Sequence, residues 1–401
     1  MNNSMRIVLA ADVFPPLRSS GAVLLKDLSL EILRQGYEVT VLVSSSELDG
    51  PWQLESFEGV EVLRLKAPRT KDVGYVRRAL AELWMPVAMW RNLQRSPLRS
   101  RQWDGVVWYS PTIFLGLLAW ALKRRSRCRG YLVLRDIFPE WALDMGLMRR
   151  GLPYLFFKAV ERFQYRVADV IGVQTHSAVA YFDNWARRPG RRVEVLQNWL
   201  ADAPVRHCSI SVANSSLAGR RIFVYAGNMG VAQGLDLLLD LAEVLRHRSD
   251  MGFLFVGRGS EAVRLRDAAA RRGLMNVQFY DEIDPAEIPA LYAQCHVGLV
   301  ALDPRHRTHN IPGKFLSYMW AGLPALASVN PGNDLVSVIR QAGVGRACED
   351  RSVTSLQQGA EELLKMIEVD GAGVRTRCRQ LAADLFSPEA AVRQIVAGLQ
   401  A

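Results

Sequence analysis

Short apolar runs alternate with amphipathic stretches along nearly the whole chain. Arg6–Ala11 ends in IVLAA; a Pro-containing loop (DVFPPLRSSG) follows, then an amphipathic stretch Val23–Gln35 that Gly36 would stop, then the run Tyr37–Val43. Apolar runs of this length fit strands covered on both faces, and a helix between two of them joins them as a parallel pair. Further strands are predicted at Val60–Leu65, 105–109, 131–134 and 170–173, with helices over 112–124, 139–148, 152–168 and 176–186. Residues 199–220 are polar, Ser-rich and contain Pro204, which suits a linker. The alternation then resumes, with strands predicted at 222–226, 253–256, 277–280, 297–301, 324–327 and 344–347, and helix over 352–400 interrupted near Gly371 and Pro388. The pattern predicts an α/β chain of two doubly wound halves, each binding ligands at the carboxyl ends of its strands.

Composition narrows the class without changing that picture. At 401 residues, 49% hydrophobic and 22% charged, the chain is expected to fold as two domains and resembles neither a disordered nor a polytopic membrane protein. The longest apolar run, Ile113–Leu122, stops at Lys123 and is too short to span a bilayer. The N-terminus passes directly into a strand, so no secretory signal is expected. Five scattered cysteines without a C-x-x-C pair fit reduced thiols and offer no zinc cluster. The formal charge of +10 is uneven: residues 1–200 carry 29 Lys+Arg against 19 Asp+Glu, and residues 201–401 carry 21 against 21. One half is therefore expected to meet an anionic surface, nucleic acid or lipid.

Candidate chemistry concentrates in the second half. In His309–Ala327 (HNIPGKFLSYMWAGLPALA), Pro312 and Gly313 set a helix start whose free N–H groups suit an anion; Lys314 sits beside it, and Phe315, Tyr318 and Met319 form an apolar stripe. Gly227-Asn-Met-Gly230-Val-Ala-Gln233-Gly234 follows a strand, and its glycines permit exposed amides that suit a diphosphate. Gly257-Arg-Gly259-Ser-Glu-Ala matches G-x-G-x-x-A but follows the second strand of its half, so a dehydrogenase is not the favoured reading. In the first half, Ser19, Ser20 and Gly21 could let a ligand approach before a helix, or simply make the loop compact.

Taken in order, FVYAGNMGVAQGLDLLLDLA, FLFVGRGSEAVRL, NVQFYDEI, LYAQCHVGLVAL, IPGKFLSYMWAGLPALAS and GNDLVSVIRQAGVG resemble the donor-binding half of the family-4 glycosyltransferases of the GT-B fold. DVFPP…SSG, LRQGYEVTVLVS, LRDIFPEWALDMG, ADVIGVQT and VEVLQNWL agree in the first half. Asp136-x-x-Pro-Glu140 and the Gln-Gly form of the second-half loop are similar to the subgroup that adds N-acetylated 6-deoxyhexosamines such as N-acetylfucosamine in O-antigen synthesis. The resemblance implies two Rossmann-like domains facing a cleft: an acceptor domain over 1–200, with 386–401 packing back on it, and a donor domain over 201–385. It implies retaining transfer of a sugar, from a nucleotide-diphosphate donor such as a UDP-sugar to a polyprenyl-diphosphate-linked saccharide, without a metal or a protein nucleophile. It further implies lipopolysaccharide-type synthesis at the cytoplasmic face of the membrane, with no nucleic-acid partner. Site roles follow from it. Asp136 would orient or deprotonate the acceptor, unless it caps the helix near Pro139; His309 and Lys314 would act on the donor. Ser20, Gly21, Gly227, Asn228, Gly230, Gln233, Gly257, Pro312, Gly313 and Ser317 would line the donor site. The chain departs from the family at positions 309 and 317, where His and Ser replace a Glu pair, and at 228 and 233, where Asn and Gln replace Arg and Lys.

Residues 69–101 mix basic side chains with Leu and Trp, which describes either a helix in a membrane interface or a solvated helix over a core. Arg77, Arg78, Trp84, Trp90, Arg91 and Arg95 are the candidate membrane residues. Two other functions stay open: a non-hydrolysing UDP-sugar 2-epimerase, and a catalytically weak scaffold subunit that binds nucleotide sugar.

Overall fold

A computed structural model describes residues 4–17, 19–70, 74–144, 146–304 and 311–401. The chain divides into two compact units, Met1–Gln197 with Pro388–Ala401, and Asn198–Ser387.

The first unit runs β1 (Arg6–Ala11), α1 (Ser20–Arg34), β2 (Glu38–Ser45), β3 (Trp52–Phe57), β4 (Val60–Lys66), α2 (Tyr75–Leu93), β5 (Gly105–Ser110), α3 (Gly116–Ser126), β6 (Arg129–Leu134), α4 (Glu140–Asp144), α5 (Leu152–Val167), β7 (Val170–Val173), α6 (His176–Ala180), α7 (Asp183–Ala186) and β8 (Arg192–Val195). Its sheet is ordered β3-β4-β2-β1-β5-β6-β7-β8, parallel except for β3. The inner strands are apolar because helices cover both faces: β5 and β7 are buried along their whole length. Two strands were not predicted. In β3 (WQLESF) every residue is at least partly exposed, and in β8 (RVEV) likewise, so neither edge strand carries an apolar run. β3 is made by a tight hairpin whose corner residues, Glu58 and Gly59, both have positive φ. The helix predicted over 176–186 is two short helices, α6 and α7.

The second unit runs β9 (Arg221–Ala226), α8 (Asp236–Val244), β10 (Met251–Val256), α9 (Ala262–Arg271), β11 (Val277–Tyr280), α10 (Ile288–Tyr292), β12 (Val297–Ala301), α11 (Gly313–Ala321), β13 (Ala325–Ser328), α12 (Asp334–Ala342), β14 (Gly345–Cys348) and α13 (Val353–Leu385). Its all-parallel sheet is ordered β11-β10-β9-β12-β13-β14. Strand order reverses between β9 and β12, and in the first unit between β1 and β5. Those switch points are where the loops beyond the strands separate and leave a crevice.

The long helical tail breaks where the pattern breaks. Asp370 leaves helical geometry inside α13, and Pro388 opens α14 (Pro388–Gln400). The buried face of α14, including Val392, Ile395 and Leu399, packs on α1 and β6 of the first sheet. Gln394 donates from Nε2 to the Val195 carbonyl at 2.9 Å.

Candidate active site

The helix predicted beside Lys314 is α11. Pro312 stands at its N-cap without a side-chain capping bond, and Gly313 is exposed, so the first turn presents N–H groups to any incoming anion. The stripe of Phe315, Tyr318 and Met319 is fully buried and fixes the helix on the sheet. Gly322, at φ +71, ends it.

Lys314 points from this first turn toward the loop after β9. Its Nζ donates to the Tyr225 hydroxyl at 2.8 Å and lies 4.1 Å from the Tyr225 ring centroid. The Tyr225 hydroxyl donates in turn to the Asn228 carbonyl at 2.6 Å. Burial lowers the Lys314 pKa to about 8 and raises that of Tyr225, so the phenol stays a donor. Lys314 is half-buried as a residue, and its ammonium is desolvated. No carboxylate pairs with this ammonium among the described residues. A desolvated cation beside an uncapped helix start favours an anionic ligand, because an anion supplies the charge partner that the fold does not.

The loop after β9 is held open by its own bonds. Gln233 accepts from the Gly230 N–H at 3.0 Å and from the Asn228 amide at 3.4 Å. The Met229 N–H donates to the Arg258 carbonyl at 2.8 Å. Gly227 and Asn228 are exposed beside Lys314, whose Cε would lie 3.8 Å from a Cβ added at Gly227. Two expectations change here. Gly257 is buried, and a Cβ on it would stand 2.1 Å from the Gly227 carbonyl oxygen, so this glycine lets two loops touch and does not line a ligand surface. The G-x-G-x-x-A match therefore has a packing origin, since Gly259 is pressed against the Met229 carbonyl in the same way. Gln233 is an internal brace of the loop, with its carbonyl already engaged. Ser317 is half-buried one turn into α11, and His309 lies outside the described residues.

A second cluster occupies the carboxyl edge of the first sheet. Gly21, at the start of α1, is buried, and a Cβ there would meet the Tyr109 ring and Val13 at 3.2 Å; Ser20 beside it is exposed, and Ser19 caps α1. Burial raises the Tyr109 pKa, Arg135 opposes that rise, and the charges of Asp136 and Asp12 add to it, which brings the ends of β1, β5 and β6 into one electrostatic neighbourhood. Burial brings the Arg135 guanidinium down to about 10. It also raises the Asp136 carboxyl, against the pull of Arg135, although Asp136 stands at the surface. Asp136 does not cap α4 among the described residues, so its carboxylate is available to a ligand.

Sequence reasoning did not single out what holds the Asp136 loop. Lys158 of α5 donates to Glu140 at 2.6 Å, pairs with Glu161 at 2.8 Å and donates to the Tyr181 hydroxyl; Tyr181 donates to Glu161 at 2.9 Å. Burial alone would lower the Lys158 pKa, but its bonds to Glu140, Glu161 and Tyr181 outweigh burial and raise it. The available signal was the i,i+3 spacing of Lys158 and Glu161; the partners on α4 and beyond α6 come together only in the fold.

In the α2 region Arg77, Arg91 and Arg95 are exposed, Arg78 pairs with Glu82 at 2.8 Å, and Trp84 is 49% exposed. Trp90 does not join this surface. It packs against the core with the Arg125 guanidinium 5.1 Å from its ring centroid, because the Met85–Met89–Leu93 side of α2 faces inward.

Two family models match the chain, the glycosyl transferase 4-like domain over residues 22–199 and the glycosyl transferases group 1 domain over residues 220–366. The chain is 22% identical over 306 residues to the probable glycosyltransferase WbjE of Pseudomonas aeruginosa, covering 75% of each. It is 24% identical over 314 residues to the putative colanic acid biosynthesis glycosyl transferase WcaI of Escherichia coli K12, again covering 75% of each. Among solved structures, HepE of Anabaena in complex with UDP-glucose superimposes with a TM-score of 0.62 at 14% identity over 99% of both chains. Two parallel-sheet units of this order, matched by one glycosyltransferase domain model each, make the chain a glycosyltransferase of the GT-B fold.

Proposed function

We propose that this glycosyltransferase moves an N-acetylated hexosamine or 6-deoxyhexosamine, with retention, from a UDP-linked donor to a lipid-linked saccharide in surface-polysaccharide synthesis. The observation that carries the reading is the desolvated Lys314 ammonium between the uncapped start of α11 and the glycine loop after β9. Cleavage of a sugar–diphosphate bond needs the departing charge stabilised, and fixed N–H donors with one ammonium supply that without a metal. The UDP-glucose held by HepE supports the nucleotide, and the colanic acid role in the name of WcaI supports the pathway class. Asp136 takes the role of orienting or deprotonating the acceptor hydroxyl.

The test is a radio-thin-layer assay of transfer from a panel of nucleotide sugars to lipid-linked saccharide, preceded by thermal-shift screening of the nucleotides. Transfer to the acceptor supports the reading; epimer formation from donor alone, or nucleotide binding with neither product, replaces it. In the same assay Asp136→Asn is expected to lower kcat by roughly 10²–10⁴ while donor KM stays near wild type. A donor KM that rises with kcat unchanged would move Asp136 to the donor.

Membrane docking belongs to the same proposal. Arg77, Leu80, Trp84 and Arg91 fall on one side of α2, and α3 lies between α2 and α5, whose Leu152 (83% exposed), Leu155 and Phe156 also point outward. Among the described residues no helix is long and apolar enough to cross a membrane, so attachment would be to the surface. Neutralising Arg77, Arg78, Arg91 and Arg95 together is expected to weaken partitioning onto anionic vesicles, read by sedimentation, by on the order of a thousandfold, from about 1 kcal/mol per basic residue. Unchanged sedimentation excludes this surface.

A further inference from the structure

Lys314 and Tyr225 meet from opposite sides of the second sheet. The buried side of α11, with Phe315, Tyr318 and Met319, belongs to the core that also holds Val224 and Ala226. Tyr225 alternates with those two strand residues, and its ring lies in the other core, with Phe223, Phe253 and Phe255. Lys314 therefore reaches over the carboxyl edge of the sheet to make its bond. It does so at the switch point, where the pairing of β9 with β12 stops at Val224 and Gly298.

The Tyr225 ring is fully buried and held by its neighbours: Phe255, its register partner on β10, lies 6.2 Å away, and Phe255 stacks on Phe279 of β11 at 4.9 Å. Its hydroxyl proton is committed as well. The Asn228 carbonyl at 2.6 Å can only accept, so the phenol donates there and keeps its lone pairs for the Lys314 ammonium at 2.8 Å. Among the described residues no other side chain accepts from that ammonium. The seat of α11 does not depend on this bond. One turn after Lys314, the Tyr318 hydroxyl lies 3.2 Å from the Val224 carbonyl and 3.0 Å from the Leu299 carbonyl, bridging β9 and β12 where they part. Gly298 makes room for it, since a Cβ there would stand 2.4 Å from the Tyr318 ring. Tyr318 holds the helix, which leaves the Tyr225 hydroxyl to hold the end of a long flexible side chain.

We propose that Tyr225 is a positioning residue of the donor site: its hydroxyl sets the Lys314 ammonium in place before the donor arrives and ties it to the loop after β9. A lysine head left to itself spreads over many rotamers, and a displacement of about 1 Å from the departing phosphate oxygen removes much of its effect. Tyr225 acts through Lys314 and not on the donor. The assignment rests on Lys314 as a ligand of the donor diphosphate in the proposed function.

A double-mutant cycle of Tyr225→Phe with Lys314→Met in the full chain tests it. Phe keeps the ring and omits the hydroxyl. Alone, Tyr225→Phe is expected to lower donor kcat/KM by about tenfold, mainly through kcat. In the Lys314→Met background the same change should alter it by less than about twofold. A hydroxyl that only braced the loop would cost the same in both backgrounds, and that result overturns the proposal. A second readout needs no donor: trace acetylation of Lys314 by acetic anhydride across pH, followed by peptide mass. Its midpoint, expected near 8 in the unsubstituted protein, should fall by about one unit in Tyr225→Phe, because the charged form loses its acceptor. An unmoved midpoint also overturns the proposal. A UDP thermal shift on the same preparations separates the two readings. Transfer and a UDP shift with an additive cycle keep the transferase and remove the role of Tyr225. A lowered midpoint with neither transfer nor a UDP shift removes the nucleotide donor and keeps Tyr225 as the holder of this ammonium for another anion.

Discussion

Lys314→Met is expected to cut donor kcat/KM by roughly 10²–10³ while raising the melting temperature of the protein without nucleotide. The catalytic loss follows from removing a desolvated charge-assisted donor; such bonds are worth about 1.5–3 kcal/mol when they only bind, and more when charge grows on the leaving diphosphate. The gain in stability follows from the same burial. Lowering a lysine from 10.5 to about 8 means that the folded protein bears a cost for the charged form, at about 1.4 kcal/mol per unit on the order of 3 kcal/mol, less because the residue is half-buried. Met keeps the apolar stem and omits the charge. A net gain of 1–2 kcal/mol would lift the melting temperature of a unit this size by roughly 3–6 °C. Equal melting temperatures, or an unaltered donor KM, would show that the ammonium is neither strained nor a phosphate ligand.

The pH dependence has a definite sign. Below about 8 Lys314 is charged in both folded and unfolded chains, and the folded chain bears the full cost. Between about 8 and 10.5 the unfolded chain holds the extra proton, so stability rises with pH in that window. The advantage of Lys314→Met should therefore shrink as pH is raised from 7 to 10. Donor affinity moves the other way, because deprotonation removes the charge the diphosphate needs: donor KM should climb above pH 8 in wild type and stay flat in the variant.

Apolar continuity made most of this fold legible. The four inner strands of the second sheet, β9, β10, β12 and β13, are runs of buried residues, and the first-sheet strands that were missed are half-exposed edges with no such run. The start of α11 could be located because Pro312 and Gly313 act locally. Tyr225 could not be assigned as the partner of Lys314, since the two are 89 residues apart and a Tyr inside an apolar strand looks like core. The clamp on the Asp136 loop was hidden for the same reason. Its four side chains come from three places in the chain, and only Lys158 and Glu161 share a helix. Gly257 is the converse case, a visible motif whose glycines serve backbone contact.

That contact makes Gly257→Ala the more damaging of two alanine substitutions. Gly257 sits at φ +145, in a region essentially confined to glycine, and its added Cβ would be 2.1 Å from the Gly227 oxygen and 2.9 Å from the Gly227 carbonyl carbon. Both obstacles are backbone, so no rotamer change relieves them; the loop after β9 must move away from β10. Because the Gly227 N–H donates to Val256 at 2.9 Å, that movement also breaks a bond anchoring the loop beside Lys314. A loss of roughly 3–5 kcal/mol is expected, of the size that marks a specific structural clash, together with loss of the thermal shift produced by UDP. Gly273→Ala is the control: its φ is +63 with nothing within 4 Å of the added Cβ, so it incurs only left-handed strain of about 1–2 kcal/mol. Gly273→Ala should keep the nucleotide shift. If both variants lose stability equally and both still respond to UDP, the contact of Gly257 with Gly227 does not shape the donor loop.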